Sequence, residues 1–79
     1  MHHYRIHMIN SDFESSEEGA YASLQAAIEA ALRSASEVAR DLIAKGEANS
    51  AIEIRIEEND QVIARRVLAY SISPLAVGE

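Results

Sequence analysis

Between Ser23 and Gly46, apolar and polar residues alternate with a helical period. At 100° per residue, Leu24, Ala27, Ile28, Ala31, Leu32, Ala35, Val38, Ala39, Leu42 and Ile43 fall on one arc of roughly 160°. Glu29, Arg33, Ser36, Glu37, Arg40 and Asp41 fall opposite. The pattern predicts one long amphipathic helix. Ser23 stands where an N-cap belongs, its hydroxyl placed to accept from an unpaired first-turn amide. Gly46 stands where the left-handed residue of a C-cap belongs, after Lys45, whose charge suits the negative end of the helix dipole. Glu29–Arg33, Arg33–Glu37 and Asp41–Lys45 have the spacing of helical ion pairs. The polar face is mixed in sign rather than basic, so this reads as a core helix on a sheet, not a membrane-surface or calmodulin-target helix. Its alanine-rich arc lets it approach a sheet or a second helix closely.

The flanking segments alternate with period two. Tyr4 to Ile9 predicts a strand with Tyr4, Ile6 and Met8 on one face and Arg5, His7 and Ile9 on the other. Asn10-Ser11-Asp12 is turn chemistry. Asp12 to Glu18 is acidic and serine-bearing and reads as a loop, with room for a short strand around Phe13 or across Gly19 to Tyr21. After the helix, Ala51 to Glu57 places Ile52, Ile54 and Ile56 on one face and Glu53, Arg55 and Glu57 on the other, a half-buried strand. Glu58-Asn59-Asp60 reads as a hairpin turn, since Asn and Asp tolerate the left-handed region. The returning strand, Gln61 to Tyr70, has two possible registers. One sets Ile56 opposite Val62, with Val62, Ala64 and Leu68 toward the helix. The other sets Ile56 opposite Ile63, with Ile63, Arg65 and Val67 there. The first supplies more apolar bulk and is preferred, although Arg66 then needs an exit to solvent. Either leaves apolar residues on the far face, as in a sheet covered on both sides by dimerisation.

Composition narrows the class. A chain of 79 residues is one domain with a thin stability margin. Its hydrophobic content of 48% suits a globular fold. With no cysteine, neither disulfides nor zinc–thiolate sites can offset small size, which leaves oligomerisation. A net charge of −6 argues against nucleic-acid partners. No signal peptide or membrane span is visible, so a cytoplasmic location is expected. Residues 1–70 are read as the domain, and 71–79, with Pro74 and Gly78, as a flexible tail.

Candidate chemistry is sparse. Met1-His2-His3 with a free amine has the donor set for square-planar Cu(II) or Ni(II), but any chain with His at position three shares it, and a frayed N-terminus is the preferred reading. His7, on the face opposite Ile6 and Met8, reads as a structural histidine bonded near Asp12 or Glu18 rather than a catalytic base, since no nucleophile or pocket accompanies it. Asp12, Glu14, Glu17 and Glu18 lack the ligand spacing of a calcium loop and read as a solvated acidic segment. Ser34 and Ser36 lie near the polar helix face without a His–Asp arrangement. Arg65 and Arg66 are suited to an acidic partner or phosphate, but adjacent strand positions point to opposite faces and make no single clamp. No cofactor is implied.

The chain resembles a family of short bacterial proteins of unknown function. The likeness rests on Tyr4 and His7 in the first strand, Asp12 in the turn, Glu18-Gly19, the cap Ser23-Leu24 and Ala26-Ala27 in the first helical turn. Arg5 and Ile6 stand where the family has aromatics, Ser11 where it often has Gly, and Arg66 where it usually has an apolar residue. The resemblance spans roughly residues 4 to 68 and implies a small α+β fold with no known activity. More distantly, strands followed by a helix near Leu24 look like HicB-type antitoxins, whose Pro-Asp-x-Pro-Gly segment is missing here.

The expected architecture is α+β: three or four antiparallel strands with one long helix on one face, in the order β(β)αββ. A helix of about 22 residues spans about 33 Å against about 23 Å for seven-residue strands, so a helix end should overhang, exposing Leu42 and Ile43 or Leu24 and favouring a homodimer. The expected function is a noncatalytic protein-interaction or regulatory module, with His7, Asp12, Glu18, Arg65 and Arg66 as contact candidates. The alternatives are an antitoxin-like partner of a basic toxin, and a small metal-binding protein or enzyme using His7 or His2 and His3.

Overall fold

The structure, a computed structural model, describes residues 1–72. Four strands and one helix follow in the order β1 (His2–Ile9), β2 (Glu14–Tyr21), α1 (Leu24–Ala44), β3 (Asn49–Glu58) and β4 (Gln61–Ser71). The strands form one antiparallel sheet in the order β2-β1-β3-β4. The helix lies across one face, packed chiefly on the central strand β3. This is the expected α+β fold, with the fourth strand present.

The helix ends where its caps dictate. The Ser23 hydroxyl accepts from the Ala26 amide at 3.1 Å, a cap worth about 1 kcal/mol. At the other end Gly46 has φ of 96°. Its amide donates to the Ile43 carbonyl at 3.0 Å, and that of Glu47 to Leu42 at 3.1 Å. These two bonds make a Schellman cap, which needs a left-handed residue and so selects glycine. The three charge pairs predicted along the outer face do not close into ion pairs.

The core is a layer of isoleucines under a stripe of alanines. Ile52, Ile54 and Ile56 are at most 1% exposed, and Ala27, Ala31, Ala35 and Ala39 are buried above them. Burying each isoleucine contributes about 1.5–3 kcal/mol. Tyr4 closes one side of this layer, with Ile6, Met8, Leu24, Leu32, Val38 and Leu68 packed around it.

The acidic segment is a full strand, not a loop. Glu14 to Tyr21 pairs with all of β1, from His2↔Tyr21 to Ile9↔Glu14. As an edge strand lying largely beyond the helix, β2 has no need of the apolar alternation by which strands are recognised. Tyr21 alone reaches the core. Its ring lies over Gly19, where a Cβ would come within 2.9 Å of the ring, so a larger residue at this position would have to displace Tyr21. The β1–β2 turn is held by Asn10, which is buried. Its side-chain oxygen accepts from the Asp12 amide at 2.9 Å, and its amide group donates to Ser50 at 2.7 Å and to the Ala51 carbonyl at 3.1 Å.

The second hairpin follows neither expected register. Glu58 pairs with Gln61 across a two-residue turn in which Asn59 and Asp60 have φ of 53° and 64°, the I′ geometry matched to strand twist. A β-bulge then shifts the ladder, so Glu57 faces Val62 while Ile56 faces Ala64. The extra residue, Ile63, restores the preferred faces beyond it. Ala64 and Leu68 lie on the helix side as expected, whereas Val62 is turned outward and is 47% exposed. Arg66, paired with Ile54 on the helix side, escapes at the sheet edge and donates to the Arg65 carbonyl at 2.8 Å.

Two further expectations change. Strands of 8 to 11 residues match the 21-residue helix, about 31 Å long, so the length mismatch behind the predicted overhang is absent. Ile43 is nonetheless exposed. The sheet also runs past residue 70: Ser71 is in β4, and the Ile72 amide donates to the Ala48 carbonyl at 2.6 Å. The rest of the expected flexible tail lies outside the described residues.

Candidate functional site

The helix leaves one sheet face uncovered, and the register arranges that face in rows. The first row across β2, β1, β3 and β4 is Glu18, Arg5, Glu57 and Val62. The second is Ser16, His7, Arg55 and Arg65, and the third is Glu14, Ile9, Glu53 and Val67. Most of these positions are charged, with some apolar residues among them as expected. Ile9, Val62 and Val67 are its larger apolar members.

The charges pair in three ways: directly across strands, along a strand and on diagonals. Arg5 donates to Glu18. The His7 ring donates through Nε2 to Glu57 Oε1 at 2.8 Å, both side chains about a quarter exposed. Glu57, not Asp12 or Glu18, is therefore the partner of His7. This pairing was hidden because 50 residues separate the two. Glu53 accepts from Arg55 Nε at 2.7 Å, and from Arg65 Nε at 3.0 Å and Nη2 at 2.7 Å. Arg55 and Arg65 stand directly opposite each other, a like-charge pair that Glu53 bridges. Hydrogen bonds from Arg55 and then Arg65 hold the Glu53 carboxyl down to about 2.

At the β3–β4 turn end of this face is a shallow recess of about 240 Å³, lined by His3, Tyr4, Arg5, Glu18, Glu57, Asn59 and Asp60. Of the residues singled out from sequence, His3 and Glu18 line this recess and His7 adjoins it through Glu57. Arg65 is across the same face. Asp12 is exposed in the turn at the opposite end of the sheet, and Arg66 is on the helix side. His2 is also on the helix side, stacked on Tyr4 at 5.9 Å between ring centroids and 3.8 Å from Glu58.

His2 and His3 sit in the β1–β2 ladder, so chelation through their backbone amides would need that end of β1 to detach. Among the described residues no group of three or more His, Cys, Asp or Glu is disposed to hold a metal ion. The register sets Ser16 beside His7, with Glu57 beyond it. No hydrogen bond joins Ser16 to His7 among the described residues. The backbone amides facing this row belong to ladder positions, not to an oxyanion hole. The face is suited instead to meeting complementary charge, with guanidinium and carboxylate groups held at fixed spacing on rigid strands. No helix among the described residues is long and apolar enough to cross a membrane.

The profile of a domain of unknown function, DUF6894, matches residues 3–69. The chain belongs to this family. The match covers nearly the whole sheet and helix, the same span as the resemblance read from Tyr4 to Leu68. No curated protein and no solved structure matches the chain.

Proposed function

We propose that this DUF6894 member is a noncatalytic protein-interaction module of the bacterial cytoplasm that works as a homodimer. It presents the uncovered sheet face to a partner protein. The observation that carries the reading is the charged face itself. Arg5–Glu18, His7–Glu57 and Arg55–Glu53–Arg65 form three hydrogen-bonded groups, set side by side as a charge lattice on the side that the helix leaves open. Such a lattice selects a partner by charge pattern and fixes its register more than it supplies raw affinity. Its rows carry both signs, so the partner needs both as well.

A second reading, a partner that neutralises a basic toxin, draws on the net charge of −6. The acidic edge strand β2, with Glu14, Glu17 and Glu18, is the surface suited to it.

The test is affinity capture from the native host, followed by mass spectrometry. Wild type should retain a specific protein that is lost with Arg5→Ala and Glu57→Ala and kept with Arg40→Ala on the outer helix face. A partner indifferent to both sheet-face substitutions would refute the assignment of this face. Co-purification of one small basic protein, released by Glu14→Lys and Glu17→Lys, would favour the toxin-neutralising reading. His7→Ala should leave the fold intact and weaken capture only through Glu57.

A further inference from the structure

The exposed edge of β4 differs from the rest of the surface. Val62, Ile63, Val67 and Ile72, on β4 or just beyond it, account for most of the large apolar side chains left in water. The opposite edge, β2, carries glutamates and serines. The direction of the free backbone groups on β4 follows from the ladder. The Ile72 amide donates inward to Ala48, and in an antiparallel pair inward and outward residues alternate. Beyond the bulge, the even-numbered residues therefore bond to β3. Arg65, Val67, Ala69 and Ser71 turn their N–H and C=O groups outward; among the described residues these have no backbone partner, and the Arg65 carbonyl accepts from the Arg66 side chain.

A second anomaly lies on the helix side of the same strand. The Tyr70 hydroxyl is buried and has no hydrogen-bond partner among the described residues. Burial and then the nearby Glu47 carboxylate push its pKa up. Four residues earlier on the same face, Arg66 ends on the main-chain carbonyl of Arg65, with no carboxylate partner among the described residues.

We propose that β4 pairs with β4 of a second copy, antiparallel about a two-fold axis at Leu68, joining two four-stranded sheets into one of eight. This deepens the homodimer reading and rests on it. In this register Arg66 stands directly across from Tyr70 of the second copy, and the reverse. Each guanidinium is brought beside the Tyr70 side chain of the second copy and toward the Glu47 charge near it. The charge complementarity is reciprocal, as a two-fold interface requires. Outward-facing residues meet one another, Val67 opposite Ala69 and Arg65 opposite Ser71, giving about eight new backbone hydrogen bonds. Val67, 65% exposed in the single chain, packs diagonally on its counterpart. Ile72 meets Ala64. An axis at Arg65 or Arg66 would instead set like charges face to face. Pairing of β2 with β2 would oppose glutamates.

Light scattering on the full chain at tens of micromolar should give twice the monomer mass. Val67→Pro removes an outward amide and no bond to β3, so it should give a folded monomer with unchanged far-ultraviolet circular dichroism. Paired residues in this register have Cα atoms about 5.5 Å apart, within disulfide reach. The chain has no cysteine of its own. Mixed Val67→Cys and Ala69→Cys proteins should therefore cross-link under mild oxidation at least ten times more than Ser15→Cys with itself. A wild-type monomer would overturn both the dimer and its interface. A dimer that resists Val67→Pro and fails to cross-link would overturn the β4 interface alone. A mass that keeps rising with concentration would overturn it in favour of head-to-tail pairing of β4 with β2.

Discussion

Ile54→Ala tests whether the isoleucine row under the helix is the main source of stability. Ile54 is 1% exposed and lies at the middle of the central strand, paired with Met8 on one side and Arg66 on the other. The substitution removes three carbons. Their transfer alone is worth about 2.4 kcal/mol at about 0.8 kcal/mol each. The cavity left below the alanine stripe adds to that, because the helix already rests on small side chains and has little slack with which to follow. The expected loss is about 3–4 kcal/mol, within the range of about 2–5 for such changes. A domain of 79 residues has about 4–12 kcal/mol in all, so this is a large share. With a urea m-value of about 1 kcal/mol/M for a chain this small, the midpoint should fall by about 3–4 M. Val62→Ala, on the outward side of β4, should move it by about 0.5 M or less. Both are to be measured by circular dichroism at one fixed protein concentration, since dimerisation makes apparent stability concentration-dependent. If the two midpoints agreed within about 0.5 M, the reasoning from burial would be refuted.

Two further outcomes follow from local geometry. Glu53 is held at about 2 in the folded protein, below its ordinary value of 4.5. The unfolded chain therefore takes up that proton first. The contribution of this carboxylate is complete above about 4.5 and is lost as the pH falls from there toward about 2. Glu53→Gln should flatten that acid limb of a stability–pH profile; an unchanged limb would show that the Arg55–Glu53–Arg65 bridge is not formed in solution. Asp60 has φ of 64°, where an L-residue is disfavoured and glycine is not. Asp60→Gly should raise stability by about 0.5–1 kcal/mol, or Tm by about 2–8 °C. A fall in Tm would mean that the turn is not of the I′ kind.

How much of this was legible in the chain depends on how local each feature is. The helix was readable from Ser23 to Gly46 because its period, its cap and its left-handed terminator all lie within one element. The alternation of Ile52, Ile54 and Ile56 marked β3 for the same reason. β2 was readable only as a short strand at its end, Gly19 to Tyr21: an edge strand beyond the helix needs no apolar alternation, and what holds its full length is a ladder to β1 together with Tyr21 folding back over Gly19. The last hairpin was half readable. The apolar side of Ala64 and Leu68 could be chosen, but the bulge at Ile63 could not, because Asn59-Asp60 favours a two-residue turn while the core demands the other face beyond it.

The candidate site shows the same division. Arg5, His7, Glu53, Arg55 and Glu57 alternate outward on their strands, so the sequence alone determined that they would lie on a wet face. Their pairing, His7 with Glu57 and Arg65 with Glu53, was decided only by tertiary structure. The offset between neighbouring strands is set jointly by two hairpins, the bulge and the helix laid across them. A period of two places a side chain on a face of the sheet, and only the assembled register determines which side chain lies next to it.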